Sequence, residues 1–351
     1  MNRGYGFKQQ SYSYHGGRYR KSFLAYEYPQ MPKQFIDVLG CGRTLLQLTV
    51  DRFQDICPSE NIWVVTSVDY ADVVKEQLPS IPVDHILLEP CRRNTAPCIA
   101  YVSWKIKAKN PKANIVVTPS DHVVMDVREF ARVINSAMKF TADSDAIVTL
   151  GMKANRPETG YGYIQVSEEK EEDFYKVKTF IEKPLREFAE VFVQSNEFYW
   201  NSGIFVWHVK TIMKAFHEMM AEVCPQVECD MPKFSTCPNS SIDYSIMEKA
   251  DNVYVLLCDF GWADIGTWNA LYDASPKDEN QNVTTHSNAL LYNCKDNIIM
   301  TPKDKLVVVQ DLEGYLVAEQ GNALLICKKD DQNAIRKFVN DAEMKFGELY
   351  S

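Results

Sequence analysis

Two aspartates stand in surroundings that suggest chemistry. Asp121 lies in Thr118-Pro119-Ser120-Asp121-His122, just past an apolar run, and Asp264 lies in Gly261-Trp262-Ala263-Asp264-Ile265-Gly266, whose glycines and tryptophan suggest a tight, partly buried turn. A carboxylate at a strand tip can hold a hard cation such as Mg2+, which takes oxygen ligands. It can equally serve as a turn or helix-cap residue, and spacing alone does not bring two distant aspartates to one ion. A third segment, Glu89-Pro90-Cys91-Arg92-Arg93-Asn94-Thr95-Ala96-Pro97, offers Asn94 or Thr95 as a helix cap. The helix start it opens favours anions, and the amides and carbonyls of such a turn can read the edge of a purine. Glu158-Thr159-Gly160-Tyr161-Gly162-Tyr163 places glycines where backbone can approach a ligand closely. In Phe180-Ile181-Glu182-Lys183-Pro184 an acid able to accept from hydroxyls adjoins a base able to pair with a phosphate. The alternative for Glu182 and Lys183 is plain solvated surface. Asn201, in Trp200-Asn201-Ser202-Gly203, either bonds a hydroxyl or shapes a turn.

These segments must be carried by elements, and the chain alternates short apolar runs with longer amphipathic ones. Ile62 to Thr66, Ile86 to Leu88, Ile115 to Thr118 and Ala146 to Leu150 read as strands; Tyr70 to Leu78, Thr95 to Lys107 and Phe130 to Thr141 read as helices. All-apolar strands alternating with helices predict an α/β fold with a mostly parallel sheet covered on both faces. In such sheets ligands bind at the carboxyl ends of the strands, which is where the segments above fall. After about Pro276 the texture changes to short β-rich runs: Ala289 to Tyr292, Ile298 to Met300, Leu306 to Val309, Tyr315 to Ala318 and Ala323 to Ile326, closed by a polar helix from Gln332 to Phe346. This predicts a small β-rich appendage at 276–351 behind a main domain at 31–275.

Composition narrows the classes. The 351 residues carry 38 basic and 47 acidic side chains, a net charge of -9, which argues against non-specific nucleic-acid binding. Ten cysteines include no C-x-x-C pair, and no histidine follows Cys224, Cys229 and Cys237 at zinc-ligand spacing. Reduced thiols in a cytoplasmic protein are the expectation. No apolar run approaches the roughly 20 residues of a membrane span, and no apolar leader opens the chain; no membrane partner is expected.

Taken in order, P-K-Q-F at Pro32 to Phe35, E-P-x-x-R-N-T-A-P at Glu89 to Pro97, P-S-D-H at Pro119 to His122, E-T-G-Y-G-Y at Glu158 to Tyr163, F-I-E-K-P at Phe180 to Pro184, W-N-S-G-I-F at Trp200 to Phe205, S-I-D-Y-S-I-M-E at Ser241 to Glu248 and G-W-A-D-I-G-T-W at Gly261 to Trp268 resemble the mannose-1-phosphate guanylyltransferase family of sugar-nucleotide pyrophosphorylases. The resemblance runs from Pro32 to the C-terminus. It implies a Rossmann-like sheet of the nucleotide-diphospho-sugar transferase type, GTP and mannose 1-phosphate as partners, and Mg2+ as cofactor. It implies that Asp121 and Asp264 hold the metal, that Lys33 contacts the reacting phosphates, and that Glu89, Asn94, Thr95, Ala96, Pro97 and Ser120 belong to the nucleotide pocket. Gly160, Tyr161, Gly162, Glu182 and Asn201 would hold the mannose, with Lys183 on its phosphate. Another sugar or base, or a binding protein without turnover, are the rival readings; a homodimer is an open possibility.

The N-terminal segment departs from the family. Where relatives have a strand and a glycine-rich loop of the form I-M-A-G-G-x-G-x-R-x-W-P-x-S, this chain reads Tyr14-His15-Gly16-Gly17-Arg18-Tyr19-Arg20-Lys21-Ser22-Phe23-Leu24-Ala25-Tyr26-Glu27-Tyr28. Residues 1–30 hold six of the 18 tyrosines and five Lys or Arg against one acid. Codons for Tyr14 to Tyr28, read one base later, can spell I-M-A-G-G-I-G-S-R-F-W-P-M-S-I, the missing motif in full. This points to a frame change before Tyr14, restored near Met31. A basic, aromatic arm for nucleic acid is the competing reading. Since Gly4 to Tyr19 has almost no aliphatic residues, Met1 to about Tyr19 is expected to be disordered or an irregular arm over the surface, leaving the first strand's slot in the sheet empty or badly filled.

Overall fold

The computed structural model describes residues 5–8, 32–229, 233–265, 268–285, 287–320, 323–329 and 332–346. These fall into two compact units. The first holds the nucleotide-binding type of sheet. Its strands, with one short strand intervening, are β1 (Tyr5–Lys8), β2 (Ile62–Ser67), β3 (Ile86–Glu89), β4 (Asn114–Pro119), β5 (His122–Val124), β6 (Ile147–Lys153), β7 (Tyr163–Glu171), β8 (Phe174–Ile181), β9 (Phe198–His208) and β10 (Val253–Cys258). All but β5 form one nine-stranded sheet in the order β3-β2-β1-β4-β9-β6-β10-β8-β7. The pairings β1–β2, β1–β4, β2–β3 and β6–β10 are parallel. Strands β9 and β8 run against their neighbours, so the remaining strands share one direction, as the strand–helix alternation predicts.

The parallel strands are buried along their whole length in β4 and along all but the last residue in β2. Continuous Ile-Val-Val and Ile-Trp-Val-Val runs suit a sheet with helices on both faces. The helix Thr95–Lys109 is buried for most of its length. Helix Val127–Ala142 is amphipathic, burying Phe130, Val133, Ile134, Ala137, Met138 and Thr141 at spacings of three and four. Asp126 starts it by accepting a hydrogen bond from the Glu129 amide at 2.9 Å.

The slot expected to be empty or badly filled holds a short strand, which corrects the first of these alternatives. Tyr5–Lys8 pairs parallel with β2 and with β4, placing Gly6 opposite Trp63 on one side and Val117 on the other. Ladder pairing uses main-chain groups, so a four-residue segment can fill a central slot without an aliphatic run. The rest of the aberrant segment, Tyr14 to Tyr28 included, lies outside the described residues.

The second unit comprises residues 32–48, 121–123 and those described from 263 onward. The compact units divide at Trp262/Ala263, where the sequence led us to expect a boundary near residue 275. Trp268, Leu271 and Ala274 of helix Trp268–Ala274 share a buried cluster with Val38, Leu45, Val283, Ile298 and Leu316, so this helix belongs with the tail. After β11 (Trp262–Asp264) come β12 (Val283–Thr285), β13 (Asn288–Tyr292), β14 (Ile298–Met300), β15 (Leu306–Gln310), β16 (Tyr315–Gln320) and β17 (Ala323–Lys328), then helix Gln332–Phe346. The β-rich tail is as expected, but its stacking is new. Val283, Ile298 and Leu316 lie side by side in parallel register, and β13 pairs parallel with β15. The chain therefore coils, with Asn297 at its centre. The Asn297 amide donates to Asn282 Oδ1 at 2.9 Å and to the Leu312 carbonyl at 2.8 Å, and its Oδ1 accepts from the Tyr315 amide at 2.8 Å. All ten cysteines are free thiols, and no helix among the described residues is long and apolar enough to cross a membrane.

Candidate active site

The second unit brings together the three residues expected to carry catalysis. Pro32, at φ -58°, leads into the short helical turn Lys33–Phe35, closed by the Phe35 amide donating to the Pro32 carbonyl at 3.0 Å. Phe35 is buried, and the Lys33 side chain is fully buried with it. Its ammonium donates to Asp264 Oδ1 at 2.9 Å and to the Ile265 carbonyl at 3.1 Å, and stands 3.1 Å from Asp121 Oδ2. Asp121 follows β4 by two residues, and Asp264 ends β11; β5 and β11 form a two-stranded ladder of their own. Gly261 makes the turn into β11 possible. Its φ is +64°, and a Cβ there would lie 2.7 Å from Met125 Cβ, so the tight turn read from the sequence is real.

His122 completes this cluster, with Nε2 3.7 Å from Asp121 Oδ1 and 3.7 Å from Asp264 Oδ2. Sequence reasoning assigned His122 no role. Two carboxylates around one ammonium hold one negative charge in excess, if the imidazole is neutral. That excess negative charge attracts a further cation. Asp121 is 3% exposed and Asp264 22%, so Asp264 is the more open to an incoming ion. A pair of carboxylate oxygens, completed by waters and phosphate oxygens, is the donor set Mg2+ takes.

The first unit carries the expected sugar-facing residues, and three of them meet. A Cβ on Gly162 would lie 2.7 Å from Glu182 Oε2 and 3.4 Å from the Asn201 Cβ, and the Asn201 amide donates to the Gly162 carbonyl at 2.8 Å. The Asn201 side chain is held on two sides. Its Oδ1 accepts from Thr149 Oγ1 and from the Gly203 amide, each at 3.1 Å, and its Nδ2 donates to Asp243 Oδ1 at 3.1 Å. Asn201 thus shapes the turn, with one Nδ2 hydrogen bond, to Asp243, among the described residues. Asp243 and Thr149 were missed in the sequence. The signal lay in the S-I-D-Y stretch, whose aspartate opens a turn of π-helix at Asp243–Met247, a feature common at functional sites.

Around this group, Glu158 Oε1 accepts from the Gly160 amide at 3.1 Å and the Tyr161 ring stands edge-on to Trp200 and Trp262, each with centroids 5.2 Å apart. The Lys183 ammonium pairs with Glu182 Oε1, and Lys183 has a left-handed backbone, φ +46°.

The nucleotide segment is more structural than expected. Asn94, at φ +63°, caps helix Thr95–Lys109 by accepting from the Thr95 amide at 2.9 Å. The Ala96 amide donates to the Ser240 carbonyl at 3.1 Å, and Thr95 Oγ1 accepts from the Ile242 amide at 2.7 Å. Thr95, Ala96 and Pro97 are buried. The amides expected to read a base are therefore partly spent on holding residues 240–242. Glu89 is buried at the end of β3, and Ser120 Oγ is buried with no hydrogen-bond partner among the described residues.

Known proteins resemble this chain over most of its length. Residues 29–281 match the nucleotidyl transferase family. A mannose-1-phosphate guanylyltransferase 2 of Escherichia coli O157:H7 is 34% identical over 333 residues, 88% of this chain and 68% of that protein. A mannose-1-phosphate guanylyltransferase of Salmonella muenchen is 32% identical over 329 residues, with the same shares of 88% and 68%. A crystal structure from Thermus thermophilus, described as a mannose-1-phosphate geranyltransferase, superposes with a TM-score of 0.86 at 26% identity, covering 98% of this chain and 100% of that one. The chain belongs to the mannose-1-phosphate guanylyltransferase family of nucleotidyl transferases.

Proposed function

We propose that this chain joins GTP and mannose 1-phosphate into GDP-mannose and pyrophosphate in the presence of Mg2+, in the cytoplasm. The observation that carries the reading is the convergence of Asp121 and Asp264 on the Lys33 ammonium. A phosphate oxygen of mannose 1-phosphate attacks the α-phosphorus of GTP. The new P–O bond forms as the bond from the α-phosphorus to the bridging oxygen breaks, and pyrophosphate leaves with that oxygen. No covalent enzyme intermediate is required. Asp121 and Asp264 would hold Mg2+, which when bound supplies positive charge to the phosphate oxygens. Lys33 adds a positive charge that faces both carboxylates and the Ile265 carbonyl; contact with the reacting phosphates requires it to exchange one of its partners. Glu182 accepts from mannose hydroxyls, Lys183 pairs with the sugar phosphate, and Gly162 permits the close approach. Catalysis is positioning and charge neutralisation.

The absence of the glycine-rich motif from Tyr14 to Tyr28 favours a second reading, a chain that binds sugar nucleotide without turning it over. A substrate panel separates the readings. The chain carrying I-M-A-G-G-I-G-S-R-F-W-P-M-S-I at 14–28 should release pyrophosphate from GTP only with mannose 1-phosphate and Mg2+ present. Equal turnover of ATP or UTP would remove the guanine assignment, and equal use of glucose 1-phosphate the mannose assignment. Binding of GDP-mannose with no turnover by either N-terminus would establish the second reading.

A further inference from the structure

A second set of metal-type ligands lies in the first unit, made of residues given no role above. His217 sits in the last turn of helix Val209–Met219, Cys224 opens the short helix Cys224–Val227, and Glu228 follows that helix. The turn between the helices is tight, the Val223 amide donating to the Met220 carbonyl at 2.9 Å, and the Glu228 amide reaches back to the Cys224 carbonyl at 2.8 Å. This fold-back brings one ligand atom from each of His217, Cys224 and Glu228 within 4.8 Å of one another. His217 Nε2 is 3.1 Å from Glu228 Oε1. Glu228 Oε1 is itself buried, and the groups facing the carboxylate are the His217 ring nitrogen and the Cys224 thiol, the atoms that a metal ion would hold in common.

We propose that His217, Cys224 and Glu228 form a second metal site, for a zinc-class transition ion. A thiolate, an imidazole and a carboxylate are the ligands zinc accepts, at about 2.3, 2.0–2.1 and 2.0–2.2 Å. Tetrahedral ligands at those lengths lie roughly 3.3–3.8 Å apart, so side-chain contraction of about 1 Å completes the site. Mg2+ and Ca2+ prefer all-oxygen sets, which separates this site from the aspartate pair. Cys224 is 3% exposed, while the His217 side chain is half-exposed and Glu228 25% exposed. The site is therefore anchored in the core and open on one side, leaving a fourth position for water. Its framework is rigid, since Val209, Ile212, Met213, Phe216, Val223 and Val227 pack in the main core. The cysteine spacing hid the site because the histidine precedes Cys224 instead of following it.

The test uses the full chain, reduced and stripped with chelator, titrated with Co2+ and then Zn2+. The expected result is one Co2+ per chain with a thiolate-to-cobalt band in the near ultraviolet and tetrahedral-intensity visible bands, both removed by one equivalent of Zn2+. Cys224→Ser should abolish the near-ultraviolet band. His217→Ala, at a half-exposed position that folding does not need, should weaken Co2+ binding at least about tenfold. Absence of the band, its persistence in Cys224→Ser, or unchanged affinity in a folded His217→Ala chain would each overturn the assignment.

Discussion

Replacing Gly162 by alanine tests the sugar-binding group with a single methyl. The new Cβ would stand 2.7 Å from Glu182 Oε2, 3.4 Å from the Asn201 Cβ and 3.6 Å from the Ile181 carbonyl. Only the first contact is impossible. Restoring it to an ordinary 3.4 Å moves the carboxylate oxygen by the difference, 0.7 Å. The obstructing atom is the end of a flexible side chain, so the fold should yield cheaply and the melting temperature should change by no more than about 4 °C, the shift expected of roughly 1–2 kcal/mol in a large domain. The displaced oxygen, however, is the one assigned to a mannose hydroxyl. A hydrogen bond to a charged group contributes about 1.5–3 kcal/mol, and each 1.4 kcal/mol is about tenfold. KM for mannose 1-phosphate should therefore rise roughly tenfold to a hundredfold, with KM for GTP unchanged. Pyrophosphate release measured against mannose 1-phosphate at saturating GTP, on the chain carrying the family loop, gives the number. Glu182→Gln should produce a similar loss, and the double variant should lose little more than either single one. A folded Gly162→Ala chain with unchanged KM for mannose 1-phosphate, or fully additive losses, would refute the role given to Glu182.

In the coiled tail, Asn297→Ala removes the bonds to Asn282, Leu312 and Tyr315 and should cost about 2–4 kcal/mol, since each orphaned buried group costs roughly 1–3 kcal/mol; chemical denaturation followed by the tail's own proteolytic sensitivity reads it. Burial holds the His85 imidazole below its ordinary range, with the Lys109 ammonium adding to the effect, while the ring stacks on Trp63 at 3.8 Å. The unfolded chain therefore takes up the proton more readily, and stability should fall as pH drops through the ordinary histidine range. His85→Phe, which keeps the stacking, should flatten that part of the pH profile of thermal melting, and an unchanged profile would exclude His85 as its source. Side-by-side GTP titrations should show far weaker binding by the present N-terminus than by the chain with the family loop, whose amides can cradle phosphates; equal affinities would dismiss the frame-change account.

The sheet's parallel half was legible because its strands are short, unbroken apolar runs such as Ile115-Val116-Val117, buried on both faces. Strand β9 was harder to place. Its apolar end, Ile204 to Trp207, marks a strand, but its insertion antiparallel between β4 and β6 rests on long-range pairing that periodicity does not encode. Strand β1 escaped notice for a different reason: Tyr-Gly-Phe-Lys lacks the aliphatic signature, and its place is set by main-chain ladders on both sides. The coil of the tail was seen as strands only, because Asn282 and Asn297 look like turn residues until they are found bonded to one another. At the site, Asp121, Asp264 and Lys33 were found through the order of motifs, and the geometry brings both carboxylates within 3.1 Å of a common ammonium. His122 and Asp243 were not, since each acts through neighbours distant in sequence. Thr95 and Ala96 illustrate the reverse case, residues in a family motif whose polar groups are engaged in holding the fold.

Asp121 and Asp264 should support Mg2+-dependent formation of GDP-mannose. The direct measurement is chromatographic quantification of GDP-mannose and pyrophosphate from GTP and mannose 1-phosphate, by the chain carrying the family loop and by its Asp264→Asn variant. Equimolar products that require Mg2+ are expected, with a loss of about a hundredfold or more in the variant with its fold intact. GDP-mannose formed equally well without Mg2+, or undiminished in Asp264→Asn, would contradict this expectation.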